Sequence, residues 1–276
     1  MANATPTGYD DDFLGIPLPL PRPVGDTAVR ALTYPRFTVL LAPQRRLAAV
    51  TGVNIDGATL RDVARTGEWH LDARVPAAEQ AGPSVYADND LDRGHLVRRR
   101  DPGWGTAAEA RAATEATFVY TNAAPQAGAF NQSKELWLGL EDHVLAYADT
   151  ADHRVSVFTA PVLAPEDPEY RGVQIPRRFF KVAAWAASGD ADPRLLRLEA
   201  AGFVLDQSDL IDTSQGALAV SRLGGFRTFQ VPIADIEALT DVDFGPLVDA
   251  DVLQPVAVRG ESAWRPLRTA DDVVLG

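Results

Sequence analysis

Among 276 residues there are four histidines, and one of them stands where proton transfer at a phosphate is plausible chemistry. His95 closes the run Asp92-Arg93-Gly94-His95, directly after the turn-prone Asp88-Asn89-Asp90, and Arg98-Arg99-Arg100 follows. Glycine beside the histidine puts no Cβ in the way of a close approach. Guanidinium forks suit phosphate oxygens, and an imidazole exchanges a proton near neutral pH. His70, His143 and His153 have no partner at metal-ligand spacing, such as a second histidine three to five residues away with a carboxylate near, so they read as packed or surface residues. Cysteine is absent, which excludes a disulfide framework, a Cys-ligated zinc site, an iron–sulfur cluster and a thiol nucleophile.

A second constellation follows in Tyr120-Thr121-Asn122-Ala123-Ala124-Pro125-Gln126, Phe130-Asn131 and Trp137-Leu138-Gly139-Leu140-Glu141. Two asparagines and a glutamate around a helix start can form a sparse oxygen site for Mg²⁺, which takes few protein ligands and keeps most of its waters. Taken singly, the same residues read as a helix cap, a Pro-Gln turn and a solvated helix carboxylate. Both readings stand on the residues alone.

The elements that must position these groups are legible in outline. Phe37–Leu41 and Leu47–Ile55 are β-rich runs split by Pro43-Gln44-Arg45, a hairpin pattern closed by Asp56-Gly57. From Thr106 the chain is rich in helix formers and opens with Thr106 three residues before Glu109, a capping box. Phe118–Thr121 reads as a further strand, and Ser133–Tyr147 as a helix with Leu136, Trp137, Leu140 and Val144 on one face. Val155–Thr159, Phe179–Trp185, Phe203–Asp206 and Phe226–Val231 are strand-like. Strands outnumber helices without regular alternation, so the expected class is α+β with a mainly antiparallel sheet and interspersed helices. The Pro-rich residues 1–35 read as an extended N-terminal arm. Residues 36–250 read as one domain and 251–276 as a C-terminal extension.

With 46% hydrophobic residues and 23% charged, the chain has the make-up of an ordinary globular protein. Its start lacks the basic and apolar regions of a secretory signal, and no run approaches a membrane span. The expectation is therefore no membrane partner and a cytoplasmic location, or export without an N-terminal signal. The formal charge of −12 opposes polyanion binding overall. Arginines nevertheless cluster at 93–100 and at 171–178, and a local potential can oppose the global one.

The order Asp-Arg-Gly-His, Thr-Asn-x-x-Pro-Gln, Phe-Asn, Trp-x-x-Leu-Glu resembles the DNA/RNA non-specific endonuclease family of ββα-metal nucleases, the group that includes Serratia nuclease and endonuclease G. Val53-Asn54-Ile55-Asp56-Gly57, Ile175-Pro176-Arg177-Arg178-Phe179-Phe180-Lys181-Val182 and Leu239-Thr240-Asp241-Val242-Asp243-Phe244 extend the resemblance over residues 8 to 250 or so. Each fragment alone is weak, while the ordered set is specific.

The resemblance implies the ββα-metal nuclease fold and a Mg²⁺-dependent endonuclease, with Mn²⁺ as a substitute ion, acting on DNA and RNA through their phosphates. Products would carry 5′-phosphate and 3′-hydroxyl ends. His95 would be the general base, Asn131 the direct metal ligand, Arg93 a phosphate arginine, Asn122 an orienting amide and Glu141 the carboxylate behind metal-held waters. Leu145 occupies a position where some members carry a further arginine. Arg98, Arg99, Arg177 and Arg178 are substitutes for it in binding substrate, and Arg61, Arg65 and Arg74 near Trp69 are open candidates for an upstream phosphate contact. The competing expectations are a catalytically retired nuclease-like scaffold or binding module and a hydrolase of another phosphodiester. The family also leaves room for a homodimer, and a nuclease that would threaten its own cell implies an inhibitor or delivery partner.

Overall fold

In the computed structural model, the described residues are 8–25, 27–128, 153–188, 195–212, 219–220, 227–253, 264–269 and 272–274. The expected helix over 133–147, together with Asn131, Glu141 and Leu145, lies outside them.

In chain order the strands are β1 (Arg22–Pro23), β2 (Arg30–Tyr34), β3 (Phe37–Ala42), β4 (Leu47–Asp56), β5 (Leu91–His95), β6 (Ala123–Ala127), β7 (Arg154–Pro161) and β8 (Glu169–Tyr170). They continue as β9 (Val173–Gln174), β10 (Arg178–Ser188), β11 (Leu196–Asp206), β12 (Ile211–Asp212), β13 (Ala219–Val220), β14 (Arg227–Val231), β15 (Val242–Asp243) and β16 (Arg265–Leu267). The helices are α1 (Pro83–Tyr86), α2 (Ala107–Ala116) and α3 (Ile233–Thr240).

An eight-stranded sheet in the order β16-β14-β11-β10-β7-β4-β3-β2 forms the body, and each of its pairings is antiparallel. The class is α+β, as the strand-rich pattern predicts. Residues 30–34 and 265–267, near the two ends of the chain, supply its edge strands.

Both faces of the sheet are covered, so central strands such as β4 and β10 are buried along most of their length rather than alternating with polar residues. Side-chain alternation along β10 divides the core. Phe179, Ala183 and Trp185 point to one side, and Phe180, Val182 and Ala184 to the other. The second side is closed by Phe13, Leu14 and Leu18 from the N-terminal stretch and by Ile233 and Ile236 of α3. The first side carries Leu91, Ala124 and Ala127 from a separate two-stranded ribbon, β5–β6, and Leu96 and Val97 from the turn just after β5. That ribbon, with α1, α2 and the connecting segments, builds the layer in which the chemistry-bearing residues lie.

Helix α2 begins as its sequence predicts. The Thr106 hydroxyl accepts from the Glu109 amide, and the Glu109 carboxylate accepts from the Thr106 amide. Phe118–Thr121 departs from the expected strand. Only Val119 makes a bridge, to His70, and Tyr120–Asn122 turns into a 3₁₀ segment. The reason is that pairing of β6 with β5 starts at Ala123, opposite His95. The preceding backbone must bend to bring the Asn122 amide under the end of β5.

A buried polar network braces this turn. The Tyr34 hydroxyl donates to Asp72 Oδ2 (2.5 Å) and is 2.7 Å from the Thr121 hydroxyl, while Arg74 Nη2 donates to the same Asp72 oxygen (2.6 Å). Gln80 accepts from the Asp72 amide and donates to the Asp72 and Val75 carbonyls, each at 2.9 Å. Burial acts to raise the Asp72 carboxyl, but the hydrogen bonds from Arg74 and Tyr34 outweigh it and hold the group at about 2. Because the folded value is depressed, this carboxylate contributes stability above its unfolded value near ~4, and loses it as pH falls through about 2. Asp72→Asn is expected to cost about 2 kcal/mol at pH 7, the scale of hydrogen bonds to a charged group. Urea melts at pH 7 and in acid should show the gap between wild type and variant closing in acid.

Candidate active site

His95 is the last residue of β5, paired in register with Ala123. Immediately beyond it, Asn122 fixes the chain. Its Oδ1 accepts from the Val97 amide (2.9 Å), and its Nδ2 donates to the carbonyls of Val97 and Thr117 (3.0 Å each). The Leu96 amide donates to the Asn122 carbonyl (3.0 Å). The polar atoms of the Asn122 side chain are therefore committed to backbone groups, among them those of Val97 just after His95.

The glycine before the histidine is required by packing. A Cβ on Gly94 would lie 2.1 Å from both Cδ and Oε1 of Gln126 on the neighbouring strand. Gln126 is fully buried, and neither atom of its amide has a hydrogen-bond partner. Buried polar groups are nearly always paired, and this unpaired amide lies two residues from the register partner of Gly94.

The imidazole lies among aromatic rings. Trp69 stands 4.5 Å away, centroid to centroid, and Phe118 meets it edge-on at 4.9 Å. Tyr120 continues the row 5.7 Å from Trp69, and Tyr86 stacks on Tyr120 at 6.0 Å. His95 Nε2 is buried and has no hydrogen-bond partner. Burial is the main cause that pushes the His95 pKa down, to about 3, and the charges of Arg65, Arg99 and Arg93 add to it. The group is thus a neutral imidazole at physiological pH, with an unused ring nitrogen and three guanidiniums near it.

Those three cations come from separate segments. Arg93, exposed on β5, lies over the Trp69 ring at 5.8 Å. Arg65 lies over Phe118 at 5.6 Å. Arg99 donates to the Val63 carbonyl at 2.7 Å, which ties the turn after β5 to the segment carrying Arg65. Of the three upstream candidates, Arg65 is the one whose charge acts on His95. Arg74 is held by Asp72, and Arg61 donates to the Gly105 carbonyl at 2.9 Å.

Arg98, half-buried, lies in the turn beside Arg99. Arg177 and Arg178 stand at the start of β10, where the Arg177 amide donates to Asp167 (3.2 Å) and its guanidinium to the Ser208 carbonyl (3.4 Å). Gln207 joins that region to the ribbon by accepting from the Ala127 amide and donating to the carbonyls of Pro125 and Pro176. Arg177 and Arg178 are not among the charges that shift His95. Among the described residues, no group of three His, Asp or Glu side chains is placed to hold a metal ion.

The sequence pattern of the DNA/RNA non-specific endonucleases matches residues 21–251. The chain belongs to that family. A crystal structure of an EndoG/EndoGI complex, concerned with the mechanism of EndoG inhibition, has the same fold. It matches with a TM-score of 0.57 over 87% of this chain and 93% of that one, at 17% identity. An uncharacterized protein of Sinorhizobium fredii, y4fB, is 37% identical over 292 aligned positions, covering 96% of this chain and 42% of that protein. This chain therefore spans less than half the length of that relative.

Proposed function

We propose that the protein is a Mg²⁺-dependent endonuclease that hydrolyses phosphodiester bonds of DNA and RNA, with His95 as general base. The observation that carries this reading is the buried, unpartnered Nε2 of a neutral imidazole set among Arg65, Arg93 and Arg99. A base for water attack needs a free lone pair, and cations beside it favour a phosphate as the group attacked. Water attacks phosphorus and gives its proton to His95. The P–O3′ bond breaks, the 3′ oxygen takes a proton from solvent, and 5′-phosphate and 3′-hydroxyl ends result.

Asn131 would hold the Mg²⁺, with Glu141 behind its waters, and Mn²⁺ would substitute. The described residues provide no rival carboxylate cluster, and the unpartnered Nε2 of His95 is uncommitted to any hydrogen bond. When bound, the ion supplies Lewis-acid stabilisation of charge on the phosphate and the leaving oxygen. Arg93 and Arg65 bind and orient the phosphate, and Arg98, Arg99, Arg177 and Arg178 extend the contact along the backbone. Phosphate contacts carry no sequence information, so cleavage is expected to be salt-sensitive and of low sequence preference.

End analysis tests the reaction. Fragments should be substrates for a ligase and for a polymerase without prior phosphatase treatment, whereas 3′-phosphate ends would contradict the scheme. Arg65→Ala should lower kcat/KM by about 100-fold, the scale of removing one donor to a developing anion. Arg74→Ala should act mainly on stability, through Asp72. Equal kinetic losses in the two variants would remove Arg65 from the site.

A further inference from the structure

Imidazoles that serve as bases are commonly oriented by a hydrogen bond to the nitrogen that does not react, from a carboxylate or a carbonyl. Among the described residues, no hydrogen bond reaches either ring nitrogen of His95. Two aromatic rings stand against the imidazole. Trp69 is tilted at 45° to it and Phe118 at 90°, and these two rings meet each other at 5.5 Å and 68°. Two walls that are not parallel restrict both tilt and rotation, because turning the imidazole about its Cβ–Cγ bond drives it into one of them.

The walls are themselves anchored. The segment that carries Trp69 is held by Arg61 N to the Gly103 carbonyl (2.8 Å), by the Thr66 hydroxyl to Glu115 (2.7 Å), and by His70 N to the Phe118 carbonyl (3.1 Å). Its fit against Phe118 depends on Gly67, where a Cβ would fall 2.0 Å from the Phe118 ring. Arg65 over Phe118 and Arg93 over Trp69 leave the clamp rimmed by cations.

We infer that Trp69 and Phe118 form an aromatic clamp that sets the orientation of the His95 imidazole in place of a hydrogen-bonding partner, so that Trp69 is a positioning residue for the base. The inference rests on the proposed role of His95 and adds to it the means by which the base is held.

The test is a double-mutant cycle on the full chain with Mg²⁺, read on plasmid nicking. It is paired with the Kd of a fluorescein-labelled single-stranded oligonucleotide in EDTA. Trp69→Leu should lower kcat by about 10- to 100-fold, the scale of a small misplacement of a catalytic group, with KM and Kd little changed. Trp69→Phe should recover most of the rate, since it restores a flat wall. In a His95→Ala background, Trp69→Leu should cost nothing further, because effects acting through one group are not additive. Gly67→Ala, which displaces Phe118 and leaves Trp69 intact, should give the same pattern and serves should Trp69→Leu fail to fold. Weakened Kd with intact kcat would overturn the clamp and make Trp69 a surface for stacking bases. An equal loss with and without His95 would also overturn it. A wild-type rate in His95→Ala alone would overturn the base together with its clamp, which distinguishes the two failures.

Discussion

His95→Ala should lower kcat for plasmid cleavage by about 10²- to 10⁴-fold, the range for loss of a positioned general base, with the sheet and its edge strands intact. The side chain contributes a nitrogen that nothing else uses, and its backbone is held separately by Asn122. Its removal therefore takes away the proton acceptor and leaves the fold. A second readout follows from the depressed pKa. Between the ordinary histidine value of ~6.5 and about 3, the unfolded chain binds a proton at residue 95 and the folded one does not, so wild-type stability falls as pH is lowered through that window. The loss should be on the order of 1 kcal/mol per pH unit, and His95→Ala should not show it. The acid limb of kcat/KM should likewise lie well below the ordinary histidine range. A limb near that range would mean that the ring is solvated in solution and that burial has no part in setting its charge.

Gly94→Ala should be among the most damaging single methyls in the site. Its Cβ would fall 2.1 Å from a fully buried glutamine side chain, and β5 is held in register by β6, so neither partner can yield cheaply. Overpacking of this kind costs about 1–3 kcal/mol, and here the strand that shifts carries the base. Activity should fall further than stability. Gln126→Ala in the same chain makes room for the methyl and should restore most of the melting temperature lost to Gly94→Ala. If Gly94→Ala melted and cleaved like wild type, the packing of Gln126 over Gly94 would be wrong.

Much of this site is legible along the chain, and the missing parts share one cause. Arg93 and His95 stand two residues apart in a distinctive run, and Thr106 with Glu109 announces α2. Local residue types and spacing suffice for both. Trp69 and Phe118 carry no such mark. They meet at His95 because one segment is pinned to another and because Gly67 lacks a side chain, contacts that join residues from 65 to 118 only in three dimensions. Arg65 is separated from Arg61 and Arg74 by the same means, since Arg74 is drawn away by Asp72, a partner two residues off whose hold depends on Tyr34 from a different strand. The run Phe118–Thr121 has the composition of a strand and becomes a turn because the pairing that would make it one begins later, at Ala123. Gln126 stands inside the Thr-Asn-x-x-Pro-Gln pattern, yet its burial without a partner is visible only once Gly94 faces it.

The central claim is metal-dependent cleavage of both nucleic acids at one site built around His95. The direct measurement is degradation of supercoiled plasmid and of total RNA by the purified wild-type protein, in Mg²⁺ and in EDTA. Loss of both substrates in Mg²⁺, at rates that fall as salt is raised, and survival of both in EDTA is the predicted result. Survival of both in Mg²⁺ and in Mn²⁺ across a range of salt would contradict it, and would leave the family fold with its base in place but without turnover on nucleic acid.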